Sequence, residues 1–540
     1  MTPIQSTTAL DEKPNENISV PHGLIRTVKH YLDFVGLLSY IRKLKTKGIK
    51  LDLIVVALAV FTMHSSNSMN ACASWLTSLR IRRQIGFSEK DEISQKTLNR
   101  AIVLLGKERE GIISALWAGI QRRFEIDNYD ISVDGSAIVL YGPKAEMGAI
   151  GHPRDKNLGK KQVEFMVAQV AQLGIPIYIK PYKGNTSDEA QYRDCIPEIG
   201  GLISGKGLHA LDCMKDPEVK TSNDTERPED AMAAIAAIAM LGATLVADNG
   251  AASENNISRA TECGFGYITR VKMNSTDDAY IREKKAEFIQ LGDGMMCHVH
   301  RFQNGKTNYL FFSKKLFDMN RVNAYARYER NKKIYEEVKS GKFSKSQLVK
   351  IRKIPGVHIE AQISVQDTLM PHNESEEAVF LRKNIMGLRC GFFKLQSDVY
   401  LTPEEVLKRY RRRAVIECLI SSLKRITGIK PIRVWNDDSI AGCMMLAVLC
   451  EAVLAMARHC MNGQREETVV DGLKTSRTVK PNTESIVRSL NHLTLTQFKT
   501  GKGPYQEILS NWEPISEDIF GTILDHESPD WGSKKVPLPS

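Results

Sequence analysis

Two short runs that each end in an acid constrain this chain more than any other feature. Residues 130–134 (DISVD) alternate apolar and polar and read as a strand closing on Asp134. Residues 244–248 (TLVAD) read as a continuous apolar strand closing on Asp248. Around them, 163–173 and 175–182 are strand-like, 190–199 and the Ala-rich 229–241 are helix-like, 253–263 reads as a helix and 265–271 as a strand. Strands alternating with helices predict an α/β core. Acids at the ends of strands in such a sheet lie where ligands bind. Taken singly, each acid is as readily a cap or a turn former.

The flanks differ in texture. Residues 1–20 are polar and are expected to be disordered. Residues 24–125 look helical, with 51–63 as a core helix. Residues 94–100 (SQKTLNR) open another helix with Ser94 as its N-cap. Its first side chains suit a recognition helix, or an ordinary surface helix start. Further on, 298–302 and 309–313 read as a hairpin, and 357–365 and 379–395 include further strands. Between them, residues 314–355 carry thirteen Lys/Arg against four Asp/Glu. The whole chain has 74 Lys/Arg, 63 Asp/Glu and a net charge of +11 over 540 residues, so most of its surplus can be assigned to this one segment. A solvated basic helix and a nucleic-acid contact explain such a segment equally well. Residues 462–540 are polar and punctuated by Gly and Pro, and are expected to form a loosely attached tail.

Other function classes are disfavoured. The ten cysteines are scattered through apolar contexts without a CxxC pair, which suits reduced thiols in a cytosolic protein. Cys443 and Cys450 are spaced to share a helix face. Cys297-His298-Val299-His300 is ligand-like but has no partner pair at zinc spacing. The N-terminus lacks the apolar stretch of a signal peptide. The apolar runs 51–63, 231–247 and 443–461 fall short of a clean membrane span of about 20 residues, the last because it carries Glu451, Arg458 and His459. They read as buried helices, with no membrane partner expected.

The strongest local signal is a helix beginning at Thr402-Pro403-Glu404-Glu405. Thr402 is its N-cap, Pro403 its first residue and Glu405 completes a capping box. It should run to about Arg425, with Gly428 as its stop. On one helix, Tyr410, Arg413, Glu417 and Lys424 point within roughly 60° of one another. Ion pairing between Arg413 and Glu417, four residues apart, accounts for part of that face. The other reading is a carboxylate that holds a divalent metal beside cations that hold phosphates. Three carboxylates brought together would suit Mg²⁺, which takes hard oxygen ligands.

At this point the chain resembles a known family. Tyr410-x2-Arg413-x3-Glu417-x6-Lys424 matches the Y-R-E-K signature of DDE transposases of the IS-four-like superfamily of insertion sequences. Residues 246–253 (VADNGAAS) resemble that family's second-Asp segment, and Asp134-Gly135-Ser136 stands where it has its first Asp. Residues 184–188 (GNTSD) resemble the turn between the two, and 430–433 (KPIR) the basic stretch after the Glu helix. Gly135 and Asn249 depart from the family's commoner Thr and Arg.

The resemblance implies an α/β fold with a ribonuclease-H-like mixed sheet flanked by helices, a β-rich and helical insertion, and an N-terminal helical domain. The implied organisation is a tail over 1–20, a DNA-binding domain over 21–125, a catalytic core in two parts (126–274 and 401–461), an insertion over 275–400 and a C-terminal tail over 462–540. It implies metal-dependent cleavage at transposon DNA ends and strand transfer into target DNA. Asp134, Asp248 and Glu417 would be catalytic and would hold two Mg²⁺ ions, with Mn²⁺ able to substitute. Tyr410, Arg413 and Lys424 would bind DNA. The implied partners are double-stranded DNA, as terminal inverted repeats and target, and a second copy of the chain in a homodimer on DNA. The implied location is cytoplasmic and nucleoid-associated. A DNA-binding protein derived from an inactive transposase, and a hydrolytic nuclease of the same fold, are the alternatives.

Overall fold

The computed structural model describes residues 16–140, 145–151, 159–212, 228–248, 253–283, 287–323, 326, 389–429, 432, 434–470, 473–499, 506–529, 531 and 534–537. Most of the basic stretch 314–355, the run 357–365, residues 249–252 and most of 430–433 lie outside the described residues. The chain divides into two compact units. One comprises Met1–Leu245, Ser258–Phe265 and Arg412–Ser540, the other Val246–Ile257 and Gly266–Arg411.

The first unit begins with β1 (Glu16–Val20) and seven helices: α1 (His22–Phe34), α2 (Leu37–Lys43), α3 (Leu51–His64), α4 (Met69–Trp75), α5 (Leu79–Ile85), α6 (Gln95–Lys107) and α7 (Arg109–Arg123). The helical expectation for this region holds. α3 is apolar on every side and buried on every side, as a core helix must be. Ser94 caps α6, its Oγ accepting from the Thr97 N–H at 3.2 Å.

An antiparallel sheet follows, made of β2 (Asp130–Val139), β3 (Ala149–Ile150), β4 (Lys161–Val170) and β5 (Ile175–Lys183). Asp134 of β2 stands opposite Val167 of β4. The turn 184–188 leads into α8 (Asp188–Ile203), capped by Ser187, whose Oγ accepts from the Ala190 N–H at 3.3 Å. Then come α9 (Pro228–Met240) and β6 (Thr244–Ala247), which starts beside β2 with the Thr244 N–H donating to Tyr129 O at 2.9 Å.

In the second unit, α10 (Glu254–Glu262, which the division cuts), β7 (Gly266–Val271), α11 (Ser275–Glu283), β8 (Ile289–Gly292), β9 (Met295–Arg301), β10 (Thr307–Ser313) and β11 (Phe392–Ser397) precede α12 (Pro403–Arg412). The strands form an antiparallel sheet in the order β7-β11-β10-β9-β8, which includes the expected hairpin. Alternation along β10 assigns its side chains to two cores. Tyr309 and Phe311 face Cys297 and Leu395, with Val406 and Leu407 of α12 on the same core. Leu310 and Phe312 face Ile281, Phe317 and Phe392 on the other. The Tyr309 hydroxyl donates to Leu401 O at 2.8 Å and pins the start of α12.

The chain returns to the first unit through α13 (Ala414–Arg425), α14 (Asp437–Cys460), the hairpin β12 (Gln464–Val470) and β13 (Leu473–Val479), α15 (Thr483–His492), β14 (Thr494–Lys499), β15 (Gln506–Ser510) and α16 (Pro514–Glu527). The region expected as a loose tail thus carries packed elements. Ile486 and Leu490 of α15 and Ile519 and Ile523 of α16 are buried. Residues 16–20, expected to be disordered, pair as β1 with β14. Both segments were too polar on average to show their short apolar stripes.

α14 is the central helix. It is long and apolar enough to cross a membrane by length and composition, yet nearly all of it is buried in the protein. It meets α6 backbone to backbone: a methyl on Gly442 would run into the Ile102 carbonyl oxygen, and one on Gly106 into the Asp438 carbonyl oxygen. The two helices can approach this closely only without side chains at the crossing. Gly442→Ala is expected to lower the unfolding free energy by about 1–3 kcal/mol, despite the better helix propensity of Ala. Gly521→Ala on α16, where a Cβ meets nothing within 4 Å, should instead raise it by roughly 0.5–1 kcal/mol. Denaturant unfolding of the two variants checks the pair, and a stabilising Gly442→Ala would refute the close crossing.

Candidate active site

The mixed α/β class is the expected one, with a sheet flanked by helices and a helical N-terminal region. The site residues fall into two groups, one in each unit.

In the first unit, Asp134 lies in the middle of β2, because the strand runs on to Val139 rather than ending at the acid. Gly135, the next residue, is itself in the strand. A Cβ there would meet the Met166 Sδ of β4 at 2.6 Å, so a larger residue requires the Met166 side chain to shift. The Gly135 N–H donates to Asp134 Oδ1 at 2.8 Å. Arg413 reaches the same carboxylate, its NH1 donating to Oδ2 at 3.3 Å. Its NH2 donates to Glu417 Oε1 at 3.1 Å. One guanidinium therefore joins the strand acid to the helix acid. The Arg413 side chain is 8% exposed, Asp134 26% and Glu417 64%. Guanidinium is always charged and its planar fork suits two acceptors, so a buried Arg between two carboxylates is a stable arrangement.

The helix expected over 403–425 is two helices. The capping box at its start forms as expected: Glu405 N–H donates to Thr402 Oγ1 at 3.2 Å and Thr402 N–H to Glu405 Oε2 at 2.9 Å. The ladder then tightens at Arg413, whose carbonyl accepts from the Ile416 N–H at 2.9 Å, three residues on. Arg413 keeps helical angles (φ −55°, ψ −31°), so the interruption redirects the ladder without leaving the helical region. α13 ends where Gly428 takes φ +70°, the expected stop. Lys424 lies in its last turn, half-buried, two turns beyond Glu417 on the same helix.

In the second unit, Asp248 immediately follows β6, as expected. Its carbonyl accepts from Thr269 Oγ1 at 3.4 Å. The Tyr410 hydroxyl donates to Asp248 Oδ1 at 3.4 Å, from a helix whose Val406 and Leu407 are buried in the sheet core.

Sequence reasoning missed the support beneath α13. Ser422 on its buried face donates to Glu451 Oε1 of α14 at 2.5 Å. Burial pushes the Glu451 carboxyl up to about 7. The available signal was a lone acid in an otherwise apolar helix. Tyr192 of α8 was also missed. Its hydroxyl donates to Val133 O at 3.2 Å, next to Asp134, and burial raises its pKa well above the usual phenol value.

The donor set suits a hard divalent cation. Asp134 and Glu417 offer only carboxylate oxygens, both reachable by solvent, and the single charge of Arg413 leaves the pair net negative. Among the described residues, no three His, Cys, Asp or Glu side chains stand together as a ready metal cage.

The Transposase DDE domain family matches residues 127–450, more than half of the chain. The chain belongs to this transposase family. The matched span contains Asp134, Asp248, Tyr410, Arg413, Glu417 and Lys424. No curated protein matches the sequence. Among solved structures, the chain is similar to a piggyBac transposase in a cryo-EM synaptic complex with hairpin DNA. The identity is 10% and the TM-score 0.34, covering 89% of this chain and 82% of that one.

Glu451 supplies a test of the support under this transposase's α13. Its carboxyl binds a proton more tightly folded than unfolded, where its pKa is near 4.5. The stability contributed by this group is therefore fullest below about pH 4.5 and is lost as pH rises towards 7. The loss is on the order of 3 kcal/mol. Glu451→Gln keeps an acceptor for Ser422 without the charge. It should flatten unfolding stability between pH 5 and 7 (about the range set by the shift) and stabilise the protein above it. An unchanged pH slope in denaturant titrations would refute the assignment.

Proposed function

We propose that this chain is an IS-four-like DDE transposase that cuts DNA at transposon ends and joins the freed 3′ end to target DNA. The observation that carries this reading is the Arg413 guanidinium linking Asp134 to Glu417 inside the transposase family match. The match of Tyr410, Arg413, Glu417 and Lys424 to the Y-R-E-K signature supports the finer placement.

In this proposal Asp134, Asp248 and Glu417 are the metal-holding carboxylates. Mg²⁺ held there would supply Lewis-acid activation of a water or 3′-hydroxyl and stabilisation of the leaving oxygen. Everything else falls to the chain. Glu417 sits on an exposed helix face, where it is accessible to DNA. Arg413 fixes the spacing of Asp134 and Glu417 and keeps positive charge beside the phosphodiester. Tyr410 orients the Asp248 carboxylate through its hydroxyl. Lys424, further along α13, contributes a phosphate contact. Double-stranded DNA is the substrate, and a homodimer would pair two ends.

The test uses the full-length protein with its element's terminal repeats and Mg²⁺. Glu417→Gln should reduce end cleavage to background while leaving DNA binding intact. Full cleavage by that variant would sink the metal assignment. Cleavage without joined product would make the protein a hydrolytic nuclease instead. Lys424→Ala should weaken binding and reduce the salt slope by about one phosphate contact. An unaltered slope would remove Lys424 from the DNA surface.

A further inference from the structure

A second cavity lies in the first unit, away from the carboxylates. It encloses about 350 Å³, near the lower end of small-molecule sites (roughly 300–1,000 Å³). Its floor includes Ile102 and Ile432, both buried. Its walls carry Trp435, Asn70, Gln95 and Asn99.

Two features of these walls call for a ligand. Trp435 is 56% exposed and stacks on no other ring among the described residues. The amides of Asn70, Gln95 and Asn99 are exposed and take no hydrogen bond from the described residues. An indole face and side-chain amides around an apolar floor are complementary to a flat heterocycle with donors and acceptors on its edge. Lys96 and Arg100 stand on the same helix as Gln95 and Asn99, exposed and without ion-pair partners among the described residues. They add positive charge of the kind that holds a phosphate.

We propose that this cavity receives one unpaired nucleobase of a DNA strand, with adenine preferred. The base stacks on Trp435, and stacking on an aromatic side chain is available to any base. Asn and Gln pair in two-pronged fashion with the N6 and N7 edge of adenine, which is the source of the preference. A volume of about 350 Å³ is of the size that takes one base. The inference rests on DNA being the substrate. It adds a place where this chain distinguishes an unpaired or frayed strand from intact duplex.

Fluorescence anisotropy with the full-length protein tests it. The probes are a short oligo-dA strand, the same strand with one abasic position, an oligo-dT strand and a blunt duplex. Wild type should bind oligo-dA more tightly than the abasic or dT strand. Trp435→Ala should weaken oligo-dA binding by about 5- to 150-fold, the value of one stacked base, with duplex binding unchanged. Trp435→Phe should retain most of the affinity, which separates stacking from a folding defect. Asn99→Ala should erase the preference for dA over dT.

The inference is overturned if wild type shows no dependence on the base. It is also overturned if Trp435→Ala binds oligo-dA normally, or if it weakens duplex and single strand equally. Failure of the transposase reading looks different: base-dependent strand binding would persist without Mg²⁺-dependent end cleavage.

Discussion

A guanidinium with little solvent access must find its counter-charges inside the protein. Arg413 finds two, Asp134 on a strand and Glu417 on a helix. Taking charge out of water is costly unless each group is paired and hydrogen-bonded, so this contact specifies how α13 lies against β2. The geometry of the fork adds direction to the attraction. A Lys at the same position would carry the charge but not both bonds at fixed angles. The two acids differ in what the contact leaves them. Asp134 is confined by the strand and by the Gly135 N–H, whereas Glu417 keeps an exposed face.

That contact is only as firm as the helix that carries it. The buried face of α13, with Ile416, Leu419 and Leu423, packs into the first unit. Ser422 on the same face ties it to Glu451 of α14. α14 in turn is fixed by its side-chain-free crossing with α6. A chain of contacts thus runs from the N-terminal helices through a central apolar helix to the helix bearing Glu417. In the second unit the logic is repeated on another scale. The sheet core buries Val406 and Leu407, and Tyr410, four and three residues further along α12, comes to the Asp248 carboxylate.

Much of this was legible in the sequence because the signals were local. Capping boxes, apolar periodicity and strand-type alternation involve neighbours within a few residues, and α12's start, α3, α6, β9–β10 and α14 followed from them. The pairing of Arg413 with Glu417 was legible for the same reason, being one helical turn. What stayed hidden depended on residues distant in the chain. The continuation of β2 past Asp134 depends on its pairing with β4. Arg413's second partner, Asp134, lies far upstream. The tightening of the helix at Arg413 has no Pro or Gly to announce it. The packed elements after residue 462 bury short apolar stripes within a polar average.

The same distinction separates the two places where this chain presents unusual chemistry. The carboxylate site is partly paired within the protein, because Arg413 offsets one of the two negative charges of Asp134 and Glu417. A ligand entering there must displace or extend an existing pairing. The cavity beside Trp435 combines an aromatic face with the exposed amides of Asn70, Gln95 and Asn99, beside edges already hydrogen-bonded at Asn67, Ser68 and Asn436. The pairing holds the geometry of the two acids, and their remaining negative charge favours a cation. A weakly polar site loses little by staying hydrated and gains only from a ligand that is flat and edged with donors and acceptors. Under the proposed function the two sites would meet different parts of one polymer: the first its charged backbone, the second its bases.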